Sequence, residues 1–161
     1  MSKTDRPRII VYTDGAARGN PGPGGYGIVM KSGEHRKELS QGFKLTTNNR
    51  MELLAVIVAL EQLKYDHSEV TIYSDSKYVC EAVNQGWLFN WEQKRFKKKK
   101  NQDLWIRFLK IYRKHKVKLE WIKGHNNIIE NEKCDQLAVD ASKMQELPAD
   151  EGYMKDEEFF K

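Results

Sequence analysis

Apolar residues recur along the chain with two different periods. Arg8-Ile-Ile-Val-Tyr-Thr-Asp14 is a β-branched and aromatic run that ends in an acid before a glycine- and proline-rich cluster, the pattern of a strand followed by a turn. Tyr26–Met30 resumes apolar character, and His35–Phe43 is a third, weaker strand. No helix-length segment separates the three, so they predict an antiparallel meander. From Met51 to Leu63 the pattern changes. Met51, Leu53–Leu60 and Leu63 are apolar nearly all round, which predicts a deeply buried helix, and Asn49 with Glu52 has capping-box spacing at its start. Glu69–Asp75 reads as a strand and Ser76–Gln85 as a helix stopped by Gly86. Asp103–Lys116 carries Leu104, Phe108, Leu109, Ile111 and Tyr112 at helical spacing. Val117–Ile122 follows as a strand and Asn131–Lys143 as a helix, and Leu147–Lys161 is an acidic stretch expected to be poorly ordered.

The order is β-β-β-α-β-α-(basic loop)-α-β-α. Strand–helix–strand units need right-handed crossovers and parallel pairing, so this predicts an α/β protein with a five-stranded mixed sheet flanked by helices. The 161 residues suit one domain, and 39% hydrophobic with 32% charged residues is a globular composition. No window resembles a membrane span, and Met1–Arg8 is polar with no apolar run behind it, so the expectation is a cytoplasmic protein without a secretory signal. Cys80 and Cys134 are too few for a disulfide framework.

Charge is distributed unevenly. The net +5 comes from 28 Lys and Arg against 23 Asp and Glu, and six of those bases (Lys94, Arg95, Lys97, Lys98, Lys99 and Lys100) share one window with no acid. Without that window the chain is slightly acidic. Glu146–Lys161 holds six acids and two bases. The basic window suits a polyanion, although runs of like charge are also common as solvated loops.

Acids stand at the ends of elements. Asp14 and Asp75 close strands, Glu52 lies in the first turn of the buried helix, and Asp135 lies near the start of the last one. If the first and fourth strands are neighbours, Asp14 and Asp75 stand side by side and repel unless a cation separates them. Oxygen ligands suit Mg²⁺ or Mn²⁺, and four carboxylates can hold two ions ~4 Å apart. Each acid also has an ordinary reading: Asp14 as a turn acid, Glu52 as the capping partner of Asn49, Asp75 as an N-cap, and Asp135 as a first-turn acid. His125 lies in a polar loop, where a lone histidine is commonly just solvated. Gly22-Pro-Gly-Gly-Tyr-Gly27 matches GxGxxG, but Pro23 interrupts it and a strand follows, so it reads as a hairpin turn and not a dinucleotide site.

Tyr12-Thr-Asp-Gly15, Gly19–Gly27, Thr46-Thr-Asn-Asn-Arg-Met-Glu52, Asp75-Ser76 and Gly124-His125 followed by Glu130-Asn-Glu-Lys-Cys-Asp135 resemble the type 1 ribonuclease H family, its bacterial members above all. The resemblance covers about Arg8–Lys143. It implies a ribonuclease H-like fold and divalent-metal-dependent endonucleolytic cleavage of the RNA strand of RNA/DNA hybrids. The ends would be 3′-hydroxyl and 5′-phosphate, the cofactor Mg²⁺ or Mn²⁺ with two ions per site, and the enzyme a monomer.

By motif position, Asp14, Glu52, Asp75 and Asp135 match the metal-binding carboxylates, and His125 a loop histidine tied to proton transfer or product release. Asn20, Thr47, Asn48 and Asn49 match substrate contacts. Lys77 stands where Gln is common, and Trp87, Trp91 and the basic window match a DNA-gripping protrusion that is several residues short. Residues 1–145 would form the catalytic domain, with the protrusion at about 87–101, and 146–161 a tail. Amides that both donate and accept suit a 2′-hydroxyl, and phosphate contacts add affinity without sequence information. A DNA-directed nuclease of the same fold and a catalytically silent hybrid-binding module are the competing readings.

Overall fold

The computed structural model describes residues 8–124 and 128–160. The elements are β1 (Arg8–Ala17), β2 (Gly22–Ser32), β3 (His35–Thr46), α1 (Asn48–Glu61), β4 (Glu69–Ser74), α2 (Lys77–Asn84), α3 (Trp87–Gln93), α4 (Gln102–Tyr112), β5 (Lys116–Trp121), α5 (Ile129–Ser142) and α6 (Glu151–Phe159). One sheet runs in the order β3-β2-β1-β4-β5. The β1/β2 and β2/β3 pairs are antiparallel, while β1/β4 and β4/β5 are parallel, as the meander and crossovers predict. No helix among the described residues is long and apolar enough to cross a membrane.

The all-round apolar segment forms α1. Met51, Leu53, Leu54, Ala55, Val56, Ile57, Ala59 and Leu60 are buried between the sheet and α4. The capping box is not formed, because Thr47 is the N-cap and its hydroxyl accepts from the Arg50 N–H. Glu52 therefore lies beyond the cap and is left for other chemistry.

The glycine segment is not a hairpin turn. Gly22–Gly27 belong to β2, and the reversal lies earlier, at residues 18–21, with the Arg18 N–H donating to the Pro23 carbonyl at 2.7 Å. The glycines serve packing between layers: a Cβ on Gly27 would stand 2.2 Å from the Cys134 carbonyl oxygen of α5. Gly27 is also the cross-strand partner of Asp14. This close approach lays α5 over β1 and β2 and brings its Asp135 toward the end of β1.

Two regions depart further from expectation. Trp87–Gln93, inside the predicted loop, is the short helix α3, and the basic residues follow it as a chain of tight turns. Phe96 anchors these turns: it is 5% exposed and its N–H donates to the Trp91 carbonyl. The C-terminal stretch expected to be poorly ordered is helical instead. Asp150 caps α6 and is buried against Arg50, accepting from its Nε at 2.8 Å and its Nη2 at 3.0 Å, and from the Thr46 hydroxyl at 2.6 Å. Composition alone misses this, since the partner lies about a hundred residues earlier.

Candidate active site

The parallel pairing of β1 with β4 sets Asp14 and Asp75 at the same end of the sheet. Glu52 reaches them from the first turns of α1, which lies against Gly15. Ligand oxygens of Asp14, Glu52 and Asp75 all lie within 4.8 Å of one another. They line a cleft of about 440 Å³ with Asn48, Asn49, Lys77, Asn131 and Asp135. Asp135 borders this cleft without belonging to the tight triad. The ordinary readings of these acids do not hold. Ser76 is the cap of α2, its hydroxyl accepting from the Val79 N–H at 3.2 Å, and the first-turn acids of α5 are Glu130 and Glu132.

The triad is electrostatically costly by itself. Burial, then the Asp75 charge, with a further push from Asp135, raises the Asp14 carboxyl to about 7. Burial, followed by the charges of Asp14 and Asp75, holds Glu52 well above the usual carboxylate range. The Glu52 Oε2 is buried with no hydrogen-bond partner. Clustered carboxylates of this kind, one with an orphaned oxygen, fit a hard divalent cation that accepts only oxygen ligands.

The remaining predicted residues lie around this centre. Asn20 and Asn48 brace the start of α1. The Asn20 Oδ1 accepts from the Asn48 N–H at 3.1 Å, and the Asn48 Oδ1 from the Ala17 N–H at 2.6 Å. Asn49 borders both the carboxylate cleft and a second cleft of about 280 Å³, where Asn20 and Thr47 face Lys100 across the pocket. Trp87 is 46% exposed on α3. Trp91 packs edge-on against Trp105, and Lys99 sits over it with its Nζ 4.8 Å from the ring centroid. Lys94, Arg95, Lys97 and Lys98 are exposed. His125 falls outside the described residues.

Three residues were not singled out from the sequence. Asn131 lies one turn before Asp135 on α5, 4% exposed, with its Oδ1 unpartnered beside the carboxylates. The only advance signal was that four-residue spacing. Trp121 donates its indole N–H to the Asp75 carbonyl at 3.0 Å and carries the Lys77 Nζ 5.2 Å from its ring centroid. Asn101, at the end of the basic window, meets both Arg50 and Tyr78.

The RNase H family model matches residues 6–143. The chain is 54% identical over 153 residues to a ribonuclease H of Trichodesmium erythraeum, spanning 92% of this chain and 97% of that protein. Among solved structures it is similar to LC9-RNase H1, a type 1 RNase H with the type 2 active-site motif, at 29% identity and a TM-score of 0.78, over 88% of this chain and 74% of that one. LC11-RNase H1, solved in complex with an RNA/DNA hybrid, is 30% identical with a TM-score of 0.63, over 83% of this chain and 95% of that one.

Proposed function

The chain belongs to the RNase H family, an assignment carried by the family match over residues 6–143, and we propose that it cuts the RNA strand of RNA/DNA hybrids at the Asp14–Glu52–Asp75 cleft. The observation behind this reading is the triad itself, three carboxylates within 4.8 Å at the meeting of β1, β4 and α1, Asp14 and Glu52 buried and Asp75 half-buried. A module that only binds nucleic acid has no use for such a cluster.

Asp14, Glu52 and Asp75, with Asp135 at the rim, are the residues to hold Mg²⁺ or Mn²⁺, two ions being the number four carboxylates can serve. When bound, the ions polarise the scissile phosphate and water and stabilise developing oxyanion charge. The other residues bind and orient. Asn20, Thr47, Asn48 and Asn49 present amides and a hydroxyl along the path from the triad to Lys100, groups that donate and accept as a 2′-hydroxyl requires. Lys77 supplies a positive charge at the cleft mouth. Trp87 and the lysines after α3 take the DNA strand through its phosphates, with little sequence preference. His125 is assigned the proton-transfer or release role, and the products carry 3′-hydroxyl and 5′-phosphate ends. A monomer suffices for all of these contacts.

The test is cleavage of one sequence presented as RNA/DNA hybrid, double-stranded DNA and double-stranded RNA, each strand labelled in turn, with Mg²⁺ present or chelated. RNA-strand cuts in the hybrid alone, abolished by chelation, are the expected result. Cuts in DNA would favour the DNA-directed nuclease, and binding without cuts the silent module.

A further inference from the structure

The acidic C-terminal helix has no part in the reaction proposed above, yet it sits against the path the substrate would take. Its first half is anchored. Asp150 is held by Arg50 and Thr46, Arg50 also binds Asp103 at 2.8 Å, and Tyr153 is 7% exposed. The second half faces the cleft that Asn20, Thr47 and Asn49 share with Lys100, and Asp156, Glu157 and Phe160 form its far wall. The Asp156 Oδ2 accepts the backbone N–H of Asn101 at 2.6 Å, and the Phe160 ring lies 6.0 Å from the Lys100 Nζ. A carboxylate oxygen thus occupies a backbone donor at the junction of the basic window and the Asn-rich segment, where a nucleic-acid backbone bridging the two would bring its phosphates.

We propose that the last turn of α6 is a built-in competitor for that cleft, with Asp156 and Glu157 standing in for backbone phosphates until a duplex displaces them. Asp156 engages the Asn101 N–H as a phosphate oxygen would, and Glu157, beside the Tyr153 hydroxyl, adds a second negative charge to the lining shared with Lys100. The signs of the two segments are complementary, since the window carries six bases and no acid while residues 146–161 carry six acids against two bases. The anchor at Asp150 and Tyr153 lies upstream, so the last turn can lift while the helix start stays docked. The effect is electrostatic and partly exposed, hence modest and sensitive to salt.

This proposal rests on hybrid binding in the cleft, so the probe is an RNA/DNA hybrid added to full-length protein in chelator, where it binds uncut. Asp156→Asn with Glu157→Gln keeps shape and the acceptor to Asn101 while removing two charges. The expected result is about threefold to tenfold tighter binding at low salt, converging with wild type at high salt, and an unchanged kcat in Mg²⁺. Glu157→Gln alone shifts affinity less, in the same direction. In wild type, amide hydrogen exchange across residues 154–160 accelerates when hybrid is added. Intact hybrid binding that is indifferent to the substitutions, or α6 amides that become protected by hybrid, would overturn the competitor. A wild type that binds no hybrid removes the underlying reading, and this proposal with it.

Discussion

Gly15 lies directly under Glu52: a Cβ built on Gly15 would stand 2.4 Å from the Glu52 backbone nitrogen and 2.5 Å from the Met51 carbonyl carbon. The start of α1 can approach β1 only because this position has no side chain, and that approach delivers Glu52 to Asp14. Gly15→Ala is expected to push the helix start away, destabilising by about 1–3 kcal/mol as overpacking does. Activity should fall at least tenfold, because a displacement of about 1 Å at a reacting centre costs that much or more. Denaturant unfolding and steady-state kinetics check both. A fully active, fully stable variant would show that the approach is dispensable.

Protonation of the triad gives the metal-free protein a distinctive pH dependence. Asp14 rises from an ordinary 3.8 to about 7 in the folded state, and Glu52 rises as well. A raised carboxylate pKa means the folded state binds more protons than the unfolded one. The stability this confers is complete below about pH 4 and is lost as pH rises through 7. Unfolding in chelator should therefore show declining stability from pH 4 to 8, recovered by Mg²⁺ at the upper end. Asp14→Asn should flatten the decline. Stability that instead rises across this range in chelator would contradict the raised carboxyls.

The Arg50 guanidinium is 1% exposed and is held by Asp103 and Asp150. Asp150→Ala leaves a buried charge with one of its two carboxylates and removes the α6 cap. The expected cost is about 3–5 kcal/mol, read as a lower denaturation midpoint. Asp103→Ala should cost less, since that carboxylate is 42% exposed.

Lys97, Lys98, Lys99 and Lys100 carry most of the window's charge, and their replacement by alanine takes the net charge from +5 to +1. The four side chains cannot all reach phosphates at once, and about two phosphate contacts are at stake. The slope of log affinity against log salt should flatten by roughly two units and KM should rise several-fold, with kcat unchanged because this binding is common to ground and transition states. An unchanged slope would make the window a solvated loop.

The sequence revealed more of the site than of the packing around it. Asp14 is not the strand end expected, since β1 runs on to Ala17 in its pairing with β2, but the meander followed by crossovers predicted the side-by-side approach of Asp14 and Asp75, which the β1/β4 pairing realises. Gly22–Gly27 misled because glycine and proline signal turns locally, whereas here glycine is required by a helix that arrives about 110 residues later. Thr47 displaced Asn49 as the cap within a run of four residues that all cap well. The order of α6 depends on Arg50, a long-range partner that no local pattern shows.

We assign the Asp14–Glu52–Asp75 triad as the catalytic metal cage of a hybrid nuclease. The most direct measurement is the single-turnover rate of RNA-strand cleavage in a labelled RNA/DNA hybrid by wild type and by Asp14→Asn, with the hybrid Kd of each measured in chelator. The substitution keeps the shape and removes one ligand charge. We expect a rate loss of at least ~10³-fold, several kcal/mol of lost transition-state stabilisation, with the Kd unchanged. A variant that retains more than a tenth of the wild-type rate in Mg²⁺ would contradict the assignment.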